Sequence, residues 1–198
     1  MSVAFVLGNG ISRKVIPLEP LKEKGKIYGC NAICRDYPGL CNHIVAVDSK
    51  MVFELVENNI PNKTPVWTNP NRSYKKFQHL NFFEPSLGWS SGPTALHLAS
   101  IHRHKLIYIL GFDFMGTPEG KHNNLYSDSK NYKKSSDVAT YHGNWNRQCC
   151  IILQKNPSKT YIRVIADRAD PTFKAVDLKK FTNYHELKVS EFKQRYNL

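Results

Sequence analysis

Gly8-Asn9-Gly10-Ile11-Ser12 follows an apolar run directly. Two glycines in a short turn let backbone amides approach a bound group closely, which is how anions are cradled without side chains. The spacing is not that of a dinucleotide fingerprint, because Arg13 stands where the third glycine would be, nor that of a P-loop, because no Gly-Lys-Ser/Thr follows. Asn31, Asp48, Asn69 and Asp113 each close a short apolar run, and Ser90-Ser91-Gly92-Pro93 precedes a helical one. Amides, hydroxyls and a helix amino terminus gathered in one place suit a phosphate and the sugar and base that carry it. Each residue by itself is also an ordinary turn or cap residue. What lifts the set is its common position at the ends of elements.

Those elements are short. Residues 3–7, 26–31, 43–48 and 65–68 are apolar, β-branched or aromatic runs that read as strands, with a helical pattern over 51–57. Serine followed by an early proline starts a helix near 91, which feeds a central strand over 106–113. Residues 114–140 are polar and lack periodicity, which predicts a long, lid-like loop. A helix over 145–154 and a strand over 161–166 follow, and 184–196 reads as a terminal helix. Continuous apolar strands alternating with helices predict one α/β domain over residues 1–198, with a mostly parallel sheet of about five or six strands. If the strands are parallel, the polar residues that close them meet at one edge, where open sheets bind ligands.

The chain has 198 residues, 41% of them apolar, enough for a core without staples. It carries 28 basic and 16 acidic residues, a net charge of +12, with the excess concentrated in the last two fifths. Such a balance calls for an anionic partner: a nucleic acid such as DNA, an acidic lipid or other anionic acceptor, or a phosphorylated small molecule. The five cysteines (Cys30, Cys34, Cys41, Cys149 and Cys150) are odd in number and irregular in spacing, which predicts reduced thiols rather than a disulfide frame. Cys30, Cys34 and Cys41 near His43 match zinc spacing poorly. The apolar start ends at Gly8 with no basic segment before it, and no run approaches the roughly 18 residues of a membrane span. A cytoplasmic protein is expected, in the host cytoplasm if it is viral.

The blocks Gly8-Asn9-Gly10-Ile11-Ser12, Gly29-Cys30-Asn31, Ser90-Ser91-Gly92 and Leu110-Gly111-Phe112-Asp113-Phe114 resemble those of the bacterial sialyltransferases of Campylobacter type. They also resemble a looser superfamily of small Rossmann-like proteins, some of them phage-encoded. The resemblance covers residues 3–165. It implies a Rossmann-like domain and a nucleotide-sugar donor, CMP-sialic acid or a related sugar. It also implies transfer without a metal or a tightly bound cofactor. Carried over position by position, Asn9 and Asn31 contact the nucleotide, and Ser90, Ser91 and Gly92 hold the cytidine and phosphate side. Asn69 faces the cytosine. His142, in Tyr141-His142-Gly143-Asn144, is the general base. Tyr126, Tyr132 and Tyr141 are the candidates for lid tyrosines that steady the leaving phosphate. Two positions depart from the family: Ile11 replaces a proline and Asp48 a strand-end asparagine. A carboxylate at 48 repels phosphate but accepts hydrogen bonds from a ribose.

Two other functions stay open on sequence. Residues 72–77 and 132–134 interleave aromatic and basic side chains, as in a nucleic-acid-binding module. A non-catalytic structural or regulatory viral protein, as a single chain or a homo-oligomer, would keep the fold and lose turnover.

Overall fold

The computed structural model describes residues 2–167 and 177–198. In chain order they form β1 (Val3–Leu7), β2 (Lys26–Cys30), α1 (Ile33–Asp36), β3 (His43–Val45), α2 (Ser49–Glu57), β4 (Val66–Thr68) and β5 (Leu80–Phe82). There follow α3 (Ser91–Ile101), β6 (Leu106–Leu110), α4 (Gly143–Lys155), β7 (Thr160–Ile165), β8 (Tyr184–Lys188) and α5 (Val189–Tyr196). The strands make one sheet in the order β5-β4-β3-β2-β1-β6-β7-β8. Every pairing among them is parallel.

The α/β architecture follows from burial on both faces. In β1, Phe5 and Leu7 join one core cluster, Ala4 and Val6 the other, and all four are fully buried. Alternate side chains leave opposite faces of a strand, so a strand covered on both sides needs a continuous apolar run. The first face is covered by α2, through Met51 and Leu55, and by α5, whose Phe192 packs edge-on against Phe5 and Tyr108. The second is covered by α3 and α4, through Leu96, Leu98, Cys149 and Ile152. Burying one such side chain fully stabilises by roughly 1.5–3 kcal/mol.

The sheet has eight strands where the sequence predicts five or six. The two additional ones are β5 and β8. β5 has three residues, all only half-buried, and leaves little apolar signal. Residues 184–196 divide into an edge strand and a helix rather than forming one helix. The Glu191 carboxylate accepts the Lys188 N–H at 3.0 Å and starts α5 there. Strand β3 is shorter than the 43–48 run suggests, because Asp48 already belongs to the start of α2.

The chain steps outward from β1 to β5, and α3 then returns it to β6, on the other side of β1. The strand order therefore reverses between β1 and β6, the place where open α/β sheets leave a crevice. Residues 114–140 contain no helix or strand. A single antiparallel bridge between Lys121 and Val138 ties the segment to itself.

Candidate functional site

A cavity of about 570 Å³ opens beyond the carboxyl ends of β1, β2, β3 and β6. Gly8, Asn9 and Gly10 line it from the end of β1, Asn31 from β2, and Asp48 from β3. Ser90, Ser91 and Gly92 line it from the start of α3, and Tyr132 from the lid-like segment. Val47 N–H donates to the Ser91 hydroxyl at 3.1 Å, which joins the amino end of α3 to the end of β3. Asn31 adopts a left-handed conformation, φ 54°, and its Oδ1 is buried without a hydrogen-bond partner among the described residues. A buried acceptor left open beside a cavity is a place for a donor on a ligand.

The first loop is held from beneath. Gly8 and Gly10 N–H donate to Leu110 O at 2.8 Å and Gly111 O at 2.9 Å. Arg13 is 2% exposed, donates to Gly8 O at 2.7 Å and to Asn9 Oδ1 at 3.3 Å, and makes no ion pair among the described residues. A buried guanidinium under a glycine turn and a helix amino end on the cavity wall supply positive potential at the first loop. Arg13 occupies the third-glycine position noted above, and that mismatch was the only signal of it in the sequence. Close approach of the two loops also requires Gly111, at φ +68°, where an added Cβ would stand 2.8 Å from Gly8 O. Gly111→Ala is expected to cost about 1–2 kcal/mol. The cost would be read as a lower denaturation midpoint at unchanged m-value. An unchanged midpoint would mean that the loops have slack.

Among the described residues two carboxylates line the cavity, and only that of Asp113 makes side-chain hydrogen bonds. Asp113 accepts hydrogen bonds from the Ser12 N–H at 3.1 Å and from the Ser12 hydroxyl. Asp48 stands at the start of α2 with no side-chain capping bond. Arg163 of β7 holds the β6 end in place, donating to Phe112 O at 2.8 Å and Asp113 O at 3.2 Å.

Four expected site residues lie outside the lining. Ser12 is spent on Asp113. Asn69 follows β4, the strand next to β3, and is outside the lining. Tyr126, within the 114–140 segment, is buried, and its hydroxyl accepts from Arg13 at 3.3 Å. His142 caps α4 and its ring stacks on Tyr141 at 6.2 Å; Tyr141 and Asn144 line the cavity while His142 does not.

The segment 114–140 is docked over the cavity. Leu125 N–H donates to Asn9 O at 2.8 Å, Ile11 N–H to Asn123 Oδ1 at 2.9 Å, and Asn9 Nδ2 to the Tyr132 hydroxyl at 3.3 Å. Arg35 of α1 fastens the far side. Its guanidinium forks onto both Glu54 oxygens at 2.7 Å and donates to Ser129 Oγ at 2.7 Å and Lys130 O at 2.8 Å. Asn131 adds a bond to Glu54 at 2.7 Å. The Arg35 and Asn131 hydrogen bonds hold the Glu54 carboxyl below the usual carboxylate range despite burial. Cys30 also lines the cavity, and burial pushes its thiol up to about 11, which keeps it protonated near neutral pH.

The rings of the aromatic and basic segments pack largely against the protein itself. Tyr74 is buried, and Phe53 packs edge-on against both Tyr74 and Phe77. Tyr132 lies under the Arg35 guanidinium at 5.6 Å. Among the described residues no helix is long and apolar enough to cross a membrane. No family model, curated protein or solved structure matches the chain.

Proposed function

We propose that the chain is a glycosyltransferase that takes a nucleotide-sugar donor in this cavity and needs no metal for transfer. One observation carries the reading: the Gly8–Gly10 loop and the amino end of α3 converge on a single crevice at the reversal of strand order, with Arg13 buried beneath the loop. The phosphate sits among these groups, and the open Asn31 acceptor receives a donor from the base or ribose. The resemblance to the Campylobacter-type sialyltransferases supports the same ligand, because its blocks are those that line the cavity. The docked segment 114–140 excludes water that would otherwise hydrolyse the donor. The net charge of +12 supports an anionic acceptor.

Titration with CMP, CDP, UDP, AMP and NAD tests this directly. One nucleotide should saturate, with a preference of at least about tenfold over the others, which is about 1.4 kcal/mol. Failure of every nucleotide to saturate at millimolar concentration would end the reading.

A further inference from the structure

We propose that His122, not His142, is the proton acceptor of the cavity, with Nε2 presented to a hydroxyl of the bound acceptor. The proposal rests on the nucleotide-sugar reading above.

His122 lines the cavity from the docked segment. Its backbone is fixed on the internal bridge, with the His122 N–H donating to Asp137 O at 2.9 Å beside the Lys121–Val138 pair. The ring is fixed through Nδ1, 3.2 Å from the Ser127 hydroxyl. That hydroxyl has one proton and is also 2.8 Å from the Asn124 carbonyl, which can only accept. Satisfying both contacts sends the serine proton to Asn124 and makes Nδ1–H the donor to Ser127. The ring is then the tautomer whose Nε2 carries the lone pair, and Nε2 makes no hydrogen bond to the described residues. An imidazole oriented by a partner at one nitrogen and open at the other is the arrangement of a general base.

The charged groups around the ring are Lys133, Asp137 and Asp128. Burial first, and then Lys133, holds the imidazole below its usual range, so it is neutral and able to accept a proton near pH 7. His142 is placed differently. It stands at the amino end of the 13-residue α4, stacked on Tyr141 and outside the cavity lining.

The step balances as follows. The acceptor hydroxyl oxygen bonds to the anomeric carbon of the donor. The bond from that carbon to the phosphate oxygen breaks, its electron pair leaving on the nucleotide phosphate. The hydroxyl proton passes to Nε2, and the imidazolium keeps its Nδ1–H bond to Ser127.

Nitrogen-15 spectra of histidine-labelled protein, with CMP as probe, test the placement without requiring turnover. The His122 Nε2 should be unprotonated at pH 7.5, and its signals should move as CMP saturates. Saturable CMP binding with unmoved His122 signals, or the opposite tautomer, would overturn the proposal. Absence of binding by any nucleotide would instead overturn the underlying reading, and with it this one. Release of nucleotide from CMP-, UDP- and GDP-linked sugars supplies the second readout. His122→Gln should slow release by about 10²–10⁴-fold while nucleotide affinity stays within about twofold, and His142→Gln should be near wild type. Wild-type activity should fall with pH through a midpoint below 6.5. The reverse ranking of the two variants, or nucleotide binding with no release from any donor, would remove the base role. The variant's thermal midpoint, unchanged from wild type, separates lost chemistry from lost folding.

Discussion

Arg35→Ala is expected to destabilise the protein by about 2–4 kcal/mol and to free the 114–140 segment. Removing one partner of a buried ion pair typically costs about 3–5 kcal/mol, because the remaining charge is left desolvated; Arg35 is partly exposed, so the figure is lowered. Glu54 would lose its forked partner and keep only the Asn131 bond. The same substitution deletes the bonds to Ser129 Oγ and Lys130 O and the guanidinium lying over Tyr126 and Tyr132. Denaturant unfolding reads the stability, and limited proteolysis reads the segment. A second variant separates the two effects. Arg35→Met with Glu54→Leu removes both charges, so most of the stability should return, while cleavage within 114–140 stays fast because the lid contacts are still missing. Arg35→Ala with wild-type stability and wild-type protection would show that the clasp holds nothing.

What the sequence made legible follows a physical line. β1 and β6 were readable because full burial on two faces demands an unbroken apolar run, and both have one. Asn9, Asn31 and Asp48 were readable because parallel strands bring all their carboxyl ends to one edge, so a polar residue after an apolar run is placed by topology alone, and Ser91 because the serine–proline signature marks the amino end of the helix that meets that edge. Edge strands lack that demand: β5 is half-buried throughout, and β8 exposes His185. Asn69 obeyed the strand-end rule but follows β4, just beyond the strands that line the cavity, since the rule does not say how far along the sheet the crevice extends. Arg35, Glu54 and Ser129 were illegible because the clasp joins positions 19 and 94 apart along a path that only the docked segment defines. His122 was hidden in the same way. Its chemistry depends on Ser127 and Asn124, polar residues in a stretch without periodicity.

Acid should weaken the fold from the opposite end of the sheet. There the Tyr28 hydroxyl lies 2.6 Å from His102 Nδ1 and 2.8 Å from His104 Nε2, and Ser2 Oγ lies 2.6 Å from His104 Nδ1. The His43 ring stacks on Tyr28 at 5.0 Å, and its Nδ1 is buried without a partner among the described residues. The neighbouring charges acting on these imidazoles, Lys26 and Lys159, are cationic. Tyr28 has one hydroxyl proton and two imidazoles. The neutral network closes when one ring accepts from it and the other donates to it. A proton added to the accepting ring leaves the buried hydroxyl facing two N–H groups with nowhere to donate. Burial, and then His102, Lys26 and His104, holds His43 down at about 4. The unfolded histidine titrates near 6.5, so the unfolded chain binds the proton first. Stability is therefore full above 6.5 and lost as pH falls toward about 4, after which the His43 contribution flattens. For His43 alone the loss is about 2 kcal/mol, once its partial exposure is allowed for. His102 and His104, also held below their usual range by burial, add to it. His43→Phe keeps the stacked ring and removes the titration. Its unfolding midpoint should equal or exceed wild type at pH 7 and decline less between 6.5 and 4. Parallel curves for the two proteins would place the acid sensitivity elsewhere, with the Glu54 carboxyl the next group to examine because its stabilisation is lost only below its unfolded value of 4.5.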